Sequence, residues 1–357
     1  MTDAAAPHPR PTLADVAAHA GVSPSTASLA FSGSGPVSEA TRERVLESAR
    51  QLNYAGPDPR AQSLRRGRSG IVGVVLEERV RAAFLDPVKI QMLDGISDGI
   101  ASIGAGLLLL TDTGDGAVNV GNAPVDAVAL IGCSPRLAHS VAQLRQRGIP
   151  MVAIEGHAGD DIIEISIDNE DATRRGAEHL RALGHSRVAL VTLPLDPDRR
   201  DGPLSPEREA ASTSATTSER IAGARAVFPE IGGVVATASD VEAGRLAALM
   251  LLADPETRPT AVIAQSDLLA AGVIRAAEEL GLSVPGDVSV LGFDGVQVDG
   301  LAPYDLTTLV QPSAAKGRAA GEALVQMLAG EHPRDRCFSS VFHQGNTTAA
   351  PRALAAR

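Results

Sequence analysis

The chain has 357 residues, 44% of them hydrophobic, enough for a small headpiece and a two-lobed domain with a substantial core. Its net charge of −11 excludes a chain that is basic throughout, but residues 1–70 hold eight arginines against six acids, a balance of +2, which leaves −13 for the remainder. Only this N-terminal part has a sign suited to phosphate. Residues 1–11 lack the apolar core of a signal peptide and read as a disordered tail. Next comes TLADVAAHAGVSPSTASLAFSG, from Thr12 to Gly33. Leu13, Val16, Ala17 and Ala20 sit at helical spacing behind Thr12 as N-cap, and the helix ends near Gly21. Ser23 can cap a second helix with Pro24 at its first position, where the missing N–H costs nothing. Two short helices joined by so tight a turn cross steeply, and the second presents Ser25, Thr26 and Ser28 outward. That is helix-turn-helix geometry; the alternative is an ordinary helical hairpin in a small bundle.

Ser38 to Tyr54 predicts a third helix with Val45, Leu46, Ala49 and Leu52 as its core face and Arg42, Arg44 and Arg50 available to phosphates. Pro57 and Pro59 break the chain, and Arg60 to Gly70 carries four arginines and no acid. Here the sequence resembles the lac repressor family of bacterial transcription regulators. The resemblance is carried by LADVAAHAGVSPSTAS, VSEATRERVLESARQLNY and the degraded ARxL element Ala61-Gln62-Ser63-Leu64, with one extra residue between Tyr54 and Pro57. It implies that Thr12, Ser23, Pro24, Ser25, Thr26, Ser28 and Leu29 meet operator DNA in the major groove. It also implies a short hinge helix in which Arg60, Ser63 and Leu64 meet the minor groove. At Leu29 the family pattern has an arginine, so a guanine-reading fork is missing; the alternative is that Leu29 turns inward onto Val16 or Leu13.

After the linker, short apolar runs alternate with helical patterns. Strands are predicted at Ile71–Leu76, Leu107–Leu110, Val125–Ile131, Met151–Ile154 and Ile162–Ile167, with helices over Pro87–Ile103 and from Ser134-Pro135 to Arg147. The rhythm restarts with a helix over Glu170–Leu183 and a strand over Arg187–Thr192. Residues 194–218 carry no apolar periodicity and read as a mobile surface insertion whose deletion the fold should tolerate. Glu219–Phe228, Val241–Ala253, Ala261–Gln265, Asp267–Leu280 and Val288–Phe293 resume the alternation; Thr307–Val310, Ala314–Ala329 and Phe338–His343 can cross back between the halves. Such alternation builds parallel sheets covered on both faces, with a crevice for a small ligand at the strand C-termini.

The resemblance extends over this region through LDPVKIQMLDGI, RQRGIPMVAI, SIDNED, HLRALGHSRVALV, ERIAGA, TAVIAQSDLLAAG, LGLSVPGDVSVLGFDG and LTTLVQP. The implied fold class is α/β: a helix-turn-helix headpiece and hinge helix, then a two-lobed periplasmic-binding-protein-like α/β domain. The expected organisation is tail 1–11, headpiece 12–56, hinge 57–69, effector-binding and dimerisation domain 70–345, and tail 346–357. The lobes are expected at 70–168 plus 300–330 and at 169–299 plus 331–345. Matching positions make Arg220 of RxxG and Asp294 of GFDG effector ligands, with Ser266, Asp267, Asp168, Asp171 and Phe84 as weaker candidates. The family's second acid after Asp294 is here Gly295, so half of a paired grip is absent.

Enzymatic readings have little support: there is no GxSxG elbow, Walker A loop, HExxH or CxxC. His179 and His185 flank a helix end and read as capping or solvated residues. Cys133 and Cys337 are too far apart for a metal pair by local spacing and are expected as free buried thiols in a reducing compartment. Leu246–Ala253, the longest apolar run, reads as a buried helix face, and no run approaches membrane-spanning length. Lys89 and Lys316 are the only lysines against thirty arginines, a bias assigned to genome composition. The expectation is a cytoplasmic, nucleoid-associated transcription regulator, most simply a repressor, with no cofactor and no metal. Its partners would be pseudo-palindromic double-stranded operator DNA, a carbohydrate or nucleoside effector, and a second copy of itself, with no membrane; the rival is a same-fold regulator with a degenerate cleft that answers to a protein partner.

Overall fold

The computed structural model describes residues 11–33, 35–57, 67–77, 79–111, 119–132, 137–196 and 198–352. The expected tail at 1–10, the hinge residues 60–66, Cys133 and the Ser134-Pro135 helix start lie outside them. The chain divides into two units, residues 1–69 and 70–357.

The first unit holds three helices, α1 (Leu13–Ala20), α2 (Pro24–Ser32) and α3 (Glu39–Gln51). Local chemistry sets each boundary. Thr12 and Asp15 form a capping box on α1, and Gly21 closes it in the left-handed conformation at φ 66°. Ser23 caps α2 through the Thr26 amide, with Pro24 at the first turn; Ser38 caps α3 through Thr41. Val16, Ala17, Ala20, Ala27, Ala30, Val45 and Ala49 form the small core, flanked by Phe31 and Tyr54, whose rings meet edge-on at 5.6 Å.

The second unit contains two sheets. The first lobe is built from β1 (Ile71–Leu76), α4 (Val80–Leu85), α5 (Pro87–Ile100), β2 (Gly106–Thr111), β3 (Ala127–Ile131), α6 (Ala138–Gln146), β4 (Met151–Ile154) and β5 (Ile163–Ile167). The chain then builds the second lobe with α7 (Asn169–Ala182), β6 (Val188–Thr192), β7 (Gly202–Pro203), α8 (Pro206–Ala210), α9 (Ala215–Arg225), β8 (Gly232–Val235), α10 (Val241–Leu252), β9 (Ala261–Ala264), α11 (Asp267–Glu279), β10 (Ser289–Asp294) and β11 (Thr307–Val310). It returns for α12 (Ser313–Leu328) and β12 (Arg336–Phe338), and ends in the second lobe with β13 (Val341–His343). The sheet orders are β12-β5-β4-β3-β1-β2 and β13-β11-β10-β9-β6-β8-β7. The first is parallel throughout; in the second, only the edge strands β13 and β7 are antiparallel. Helices α5 and α12 approach to backbone contact, because a Cβ at Gly95 would meet Ala314 and one at Gly317 would meet Met92.

Several expectations are corrected. Residues 307–310 belong to the second lobe and 336–338 to the first, so Phe338–His343 is not one strand: Ser339 and Ser340 carry the chain across between β12 and β13. Residues 346–349 are not a tail; Thr347 is fully buried and is hydrogen-bonded both ways with the Val290 backbone. His185 is not solvated: it is buried between Thr260 (2.8 Å) and the Ala349 carbonyl (2.9 Å), and burial lowers its pKa. Cys337 is exposed, not buried, and Leu246 and Met250 leave the apolar face of α10 half open. Most consequentially, 194–218 is structured. β7 pairs with β8, Ser205 caps α8, Leu195 is 1% exposed in the core, and Arg225 grips both carboxylate oxygens of Glu209. Deleting it would open the core rather than trim a loop.

Candidate functional site

In the headpiece, the sequence places the expected reading residues on the outer side of α2. Ser23, Pro24, Ser25 and Leu29 are exposed, and Thr26 and Ser28 are half-buried. Ser23 Oγ lies 2.8 Å from the hydroxyls of both Ser25 and Thr26, a cluster that both donates and accepts. Thr12 is committed to its cap, since its hydroxyl meets Asp15 Oδ2 at 2.7 Å. Leu29 is 37% exposed and outside the headpiece core, lying instead against Gly35. Arg60, Ser63 and Leu64 lie outside the described residues.

The second unit contains a cavity of about 420 Å³ between its lobes. Its floor is assembled at strand and helix ends. Ser214 caps α9 through the Thr217 amide, and the helical period then turns Thr217, Arg220, Ile221 and Ala224 inward. Arg220 is 3% exposed. Its Nε donates to Asn169 Oδ1 (2.9 Å), its NH1 to the Gln265 carbonyl, and its guanidinium lies 3.5 Å over the Phe293 ring. Asp294 ends β10 at φ 123°, a strained conformation for a residue with a side chain. It accepts from Gln311 Nε2 at 2.6 Å and lies 3.9 Å from Arg220. Ser266 caps α11 and accepts from the Ser239 hydroxyl at 2.9 Å.

The structure thus brings Arg220, Ser266 and Asp294 together on the cavity wall and leaves four other candidates off it. Asp267 is fully buried behind the site, accepting from Thr308 Oγ1 (2.6 Å) and the Val296 amide (2.8 Å). Asp168 joins two crossings between the lobes: it accepts from the Ser340 amide (2.8 Å) and pairs with Arg175 (2.9 Å). Asp171 is exposed and bound to Arg174 and Arg175. Phe84 points away because Ala83 takes the inward position on α4, and the next residue lies about 100° round the helix. Gly295 cannot host the family's second acid as the chain stands, since a Cβ there would lie 2.6 Å from Val310.

Sequence reasoning missed Glu155, Gln311 and Lys316 on this wall and Asn169 just behind it. Lys316 is fully buried, its Nζ donating to Glu155 and Gln311. A signal was available: both lysines of the chain, Lys89 and Lys316, line the cavity. Residues of the 194–218 segment, including Leu195, Asp196 and Ser214, form a further wall.

Burial pushes Asp294 up to about 7 from an ordinary 3.8, against the opposing pull of Arg220. Below 3.8 both folded and unfolded chains hold this proton; between 3.8 and about 7 the folded chain holds it more tightly, so this contribution to stability is lost as pH rises. Asp294→Asn is therefore expected to flatten the fall in melting temperature between pH 5 and 8, a slope of at most about 1.4 kcal/mol per pH unit for one group. A variant whose melting temperature follows the wild-type pH profile would refute the assignment.

Among the described residues no helix is long and apolar enough to cross a membrane, and no cluster could hold a metal ion. Residues 12–56 match bacterial regulatory proteins of the lacI family, and residues 177–341 match the periplasmic binding protein-like domain. The chain is 32% identical over 353 residues to the HTH-type transcriptional regulator IpsA of Corynebacterium glutamicum, covering 95% of this chain and 97% of that one. Its fold matches the lac repressor dimer bound to operator and the anti-inducer ONPF, with TM-score 0.76 and 24% identity over 96% of this chain and 100% of that one. It also matches a complex of the regulator CelR with cellobiose, with TM-score 0.65 and 24% identity over 95% and 100%. With such identity to a regulator over nearly its whole length, the chain belongs to the lacI family of bacterial regulatory proteins, DNA-binding transcription regulators rather than enzymes.

Proposed function

We propose that the protein is a repressor that acts as a homodimer on a pseudo-palindromic operator and responds to a small polyhydroxylated effector held by Arg220, Asp294 and Ser266. The observation that carries this reading is the buried Arg220–Asp294 pair, 3.9 Å apart, on the wall of a ligand-sized cavity. A guanidinium offers paired donors and a carboxyl group offers acceptors, which suits neighbouring hydroxyls. No Phe, Tyr or Trp is among the described residues lining the cavity, and the exposed His157 is the one aromatic ring among them on which a nucleobase could stack, a sparse platform that favours carbohydrate over nucleoside. The CelR–cellobiose complex supports the same preference by fold. Exposed apolar side chains on α4–α5 (Phe84, Leu85, Ile90) and on α10 (Leu246, Met250) supply surface for a second copy, as expected from the dimeric lac repressor.

A thermal-shift screen of the full-length protein with sugars, polyols, nucleosides and sugar phosphates tests the effector class. A rise with nucleosides alone overturns the carbohydrate reading. No rise with any class favours the rival, a degenerate cleft answering to a protein partner, for which the lone acid at Asp294 is the motivating feature. Repression itself is checked by a promoter–reporter assay with and without the regulator; higher output with it would make it an activator.

The hinge role of Leu64 remains part of this proposal. Wedged between base steps at the operator centre, it would be used only in the bent specific complex. Leu64→Ala is expected to weaken operator binding much more than binding to random DNA. Equal losses on both would remove the wedge.

A further inference from the structure

The six polar residues at the cleft floor form a closed ring. Lys316 Nζ donates to Glu155 and to Gln311 Oε1; Gln311 Nε2 donates to Asp294 (2.6 Å), which lies 3.9 Å from Arg220. Arg220 Nε donates to Asn169 Oδ1 (2.9 Å), and Asn169 Nδ2 returns to Glu155 Oε2 (3.2 Å). Glu155 and Lys316 belong to the first lobe, Arg220 and Asp294 to the second, and the two amides sit where the chain crosses between lobes. Gln311 accepts from the first lobe and donates to the second; Asn169 accepts from the second and donates to the first, its Nδ2 also reaching Glu219 Oε2 on α9 (3.0 Å), and only one orientation of each amide satisfies the ring. Within the ring, these two amides are the only links between the lobes. The ring is also mostly cavity wall, so a ligand that engages Asp294 or Arg220 competes for its bonds.

We infer that this ring is the latch that fixes the angle between the lobes of the ligand-free protein, with Lys316, Glu155 and Gln311 as positioning residues through which cleft occupancy reaches operator affinity. The inference rests on the effector-cleft reading above. Its test uses no effector, so the two can fail separately.

The decisive experiment reverses one bond. Gln311→Glu keeps the acceptor for Lys316 but removes the donor to Asp294; adding Asp294→Asn supplies a donor from the other side. After Cys133→Ser and Cys337→Ser, spin labels at Glu322→Cys on α12 and Glu230→Cys beyond α9, both exposed positions in different lobes, report the interlobe distance of the full-length protein. At pH 8, Gln311→Glu is expected to shift or broaden the distance distribution and to change affinity for an operator selected from random DNA by about 5- to 150-fold. The double variant is expected to restore both. Glu155→Gln, nearly isosteric, is expected to act like Gln311→Glu and carries the test if that variant does not fold. The latch is overturned if folded ring variants keep the wild-type distance, if the distance moves while operator affinity does not, or if the double variant folds but restores neither.

Discussion

Arg220→Ala is expected to abolish the effector response and to lower stability more than any other single change at the cleft. The guanidinium is buried, with Asn169 and Gln265 as acceptors and Phe293 beneath it. Removing it leaves the buried Asp294 without its cation and Asn169 Oδ1 without its donor. Breaking a buried pair from one side costs about 3–5 kcal/mol. The pH at which the loss is greatest has a definite sign. Without Arg220 the Asp294 carboxylate is held still less well, so the deficit in melting temperature should be larger at pH 8 than at pH 5. Any compound that raises the wild-type melting temperature should have no effect on the variant, while its binding to random DNA, a property of the other unit, should persist. A folded variant that still responds at the wild-type midpoint would place the effector elsewhere.

How much of this was legible depends on the range of the forces involved. Helix ends in the headpiece follow from caps within three residues, Thr12 with Asp15 and Ser23 with Thr26, so α1 and α2 could be read directly. Met151–Ile154 and Ala261–Ala264 were readable because short apolar runs buried on both faces need no partner to be recognised. The split between β12 and β13 was not, since Phe338, Val341 and Phe342 read as one β-prone stretch across Ser339 and Ser340, and only tertiary pairing sends the halves to different sheets. Segment 194–218 was misread because one buried leucine and a set of hydroxyl caps hold it, not a periodic apolar face. Family motifs supplied Arg220 and Asp294. They could not supply the Lys316–Glu155 contact, which joins residues 161 positions apart and leaves no local pattern.

Leu29→Arg is expected to redirect operator preference. In α2, Ala27 and Ala30 take the buried positions, leaving Leu29 exposed and outside the headpiece core that holds Val16, with Leu13 packed on it. With the second helix of the motif in the major groove, an apolar side chain there can favour a thymine methyl but cannot hold guanine. Neither Pro24 nor Ser25 has the reach to compensate, and α2 carries no basic residue in its last turn. The wild-type protein should therefore prefer a T·A or A·T pair at the position Leu29 faces. An arginine placed there presents two donors to guanine O6 and N7, worth about 1–3 kcal/mol of discrimination, or roughly 5-fold to 150-fold between bases. The exposed site makes the substitution tolerable to the fold, at the loss of the contact with Gly35. Selection from randomised operators should show guanine enriched at one position in each half-site, with the remaining positions unchanged. If the variant unfolds the headpiece, or selects the wild-type sequence, Leu29 is no part of the surface that reads DNA.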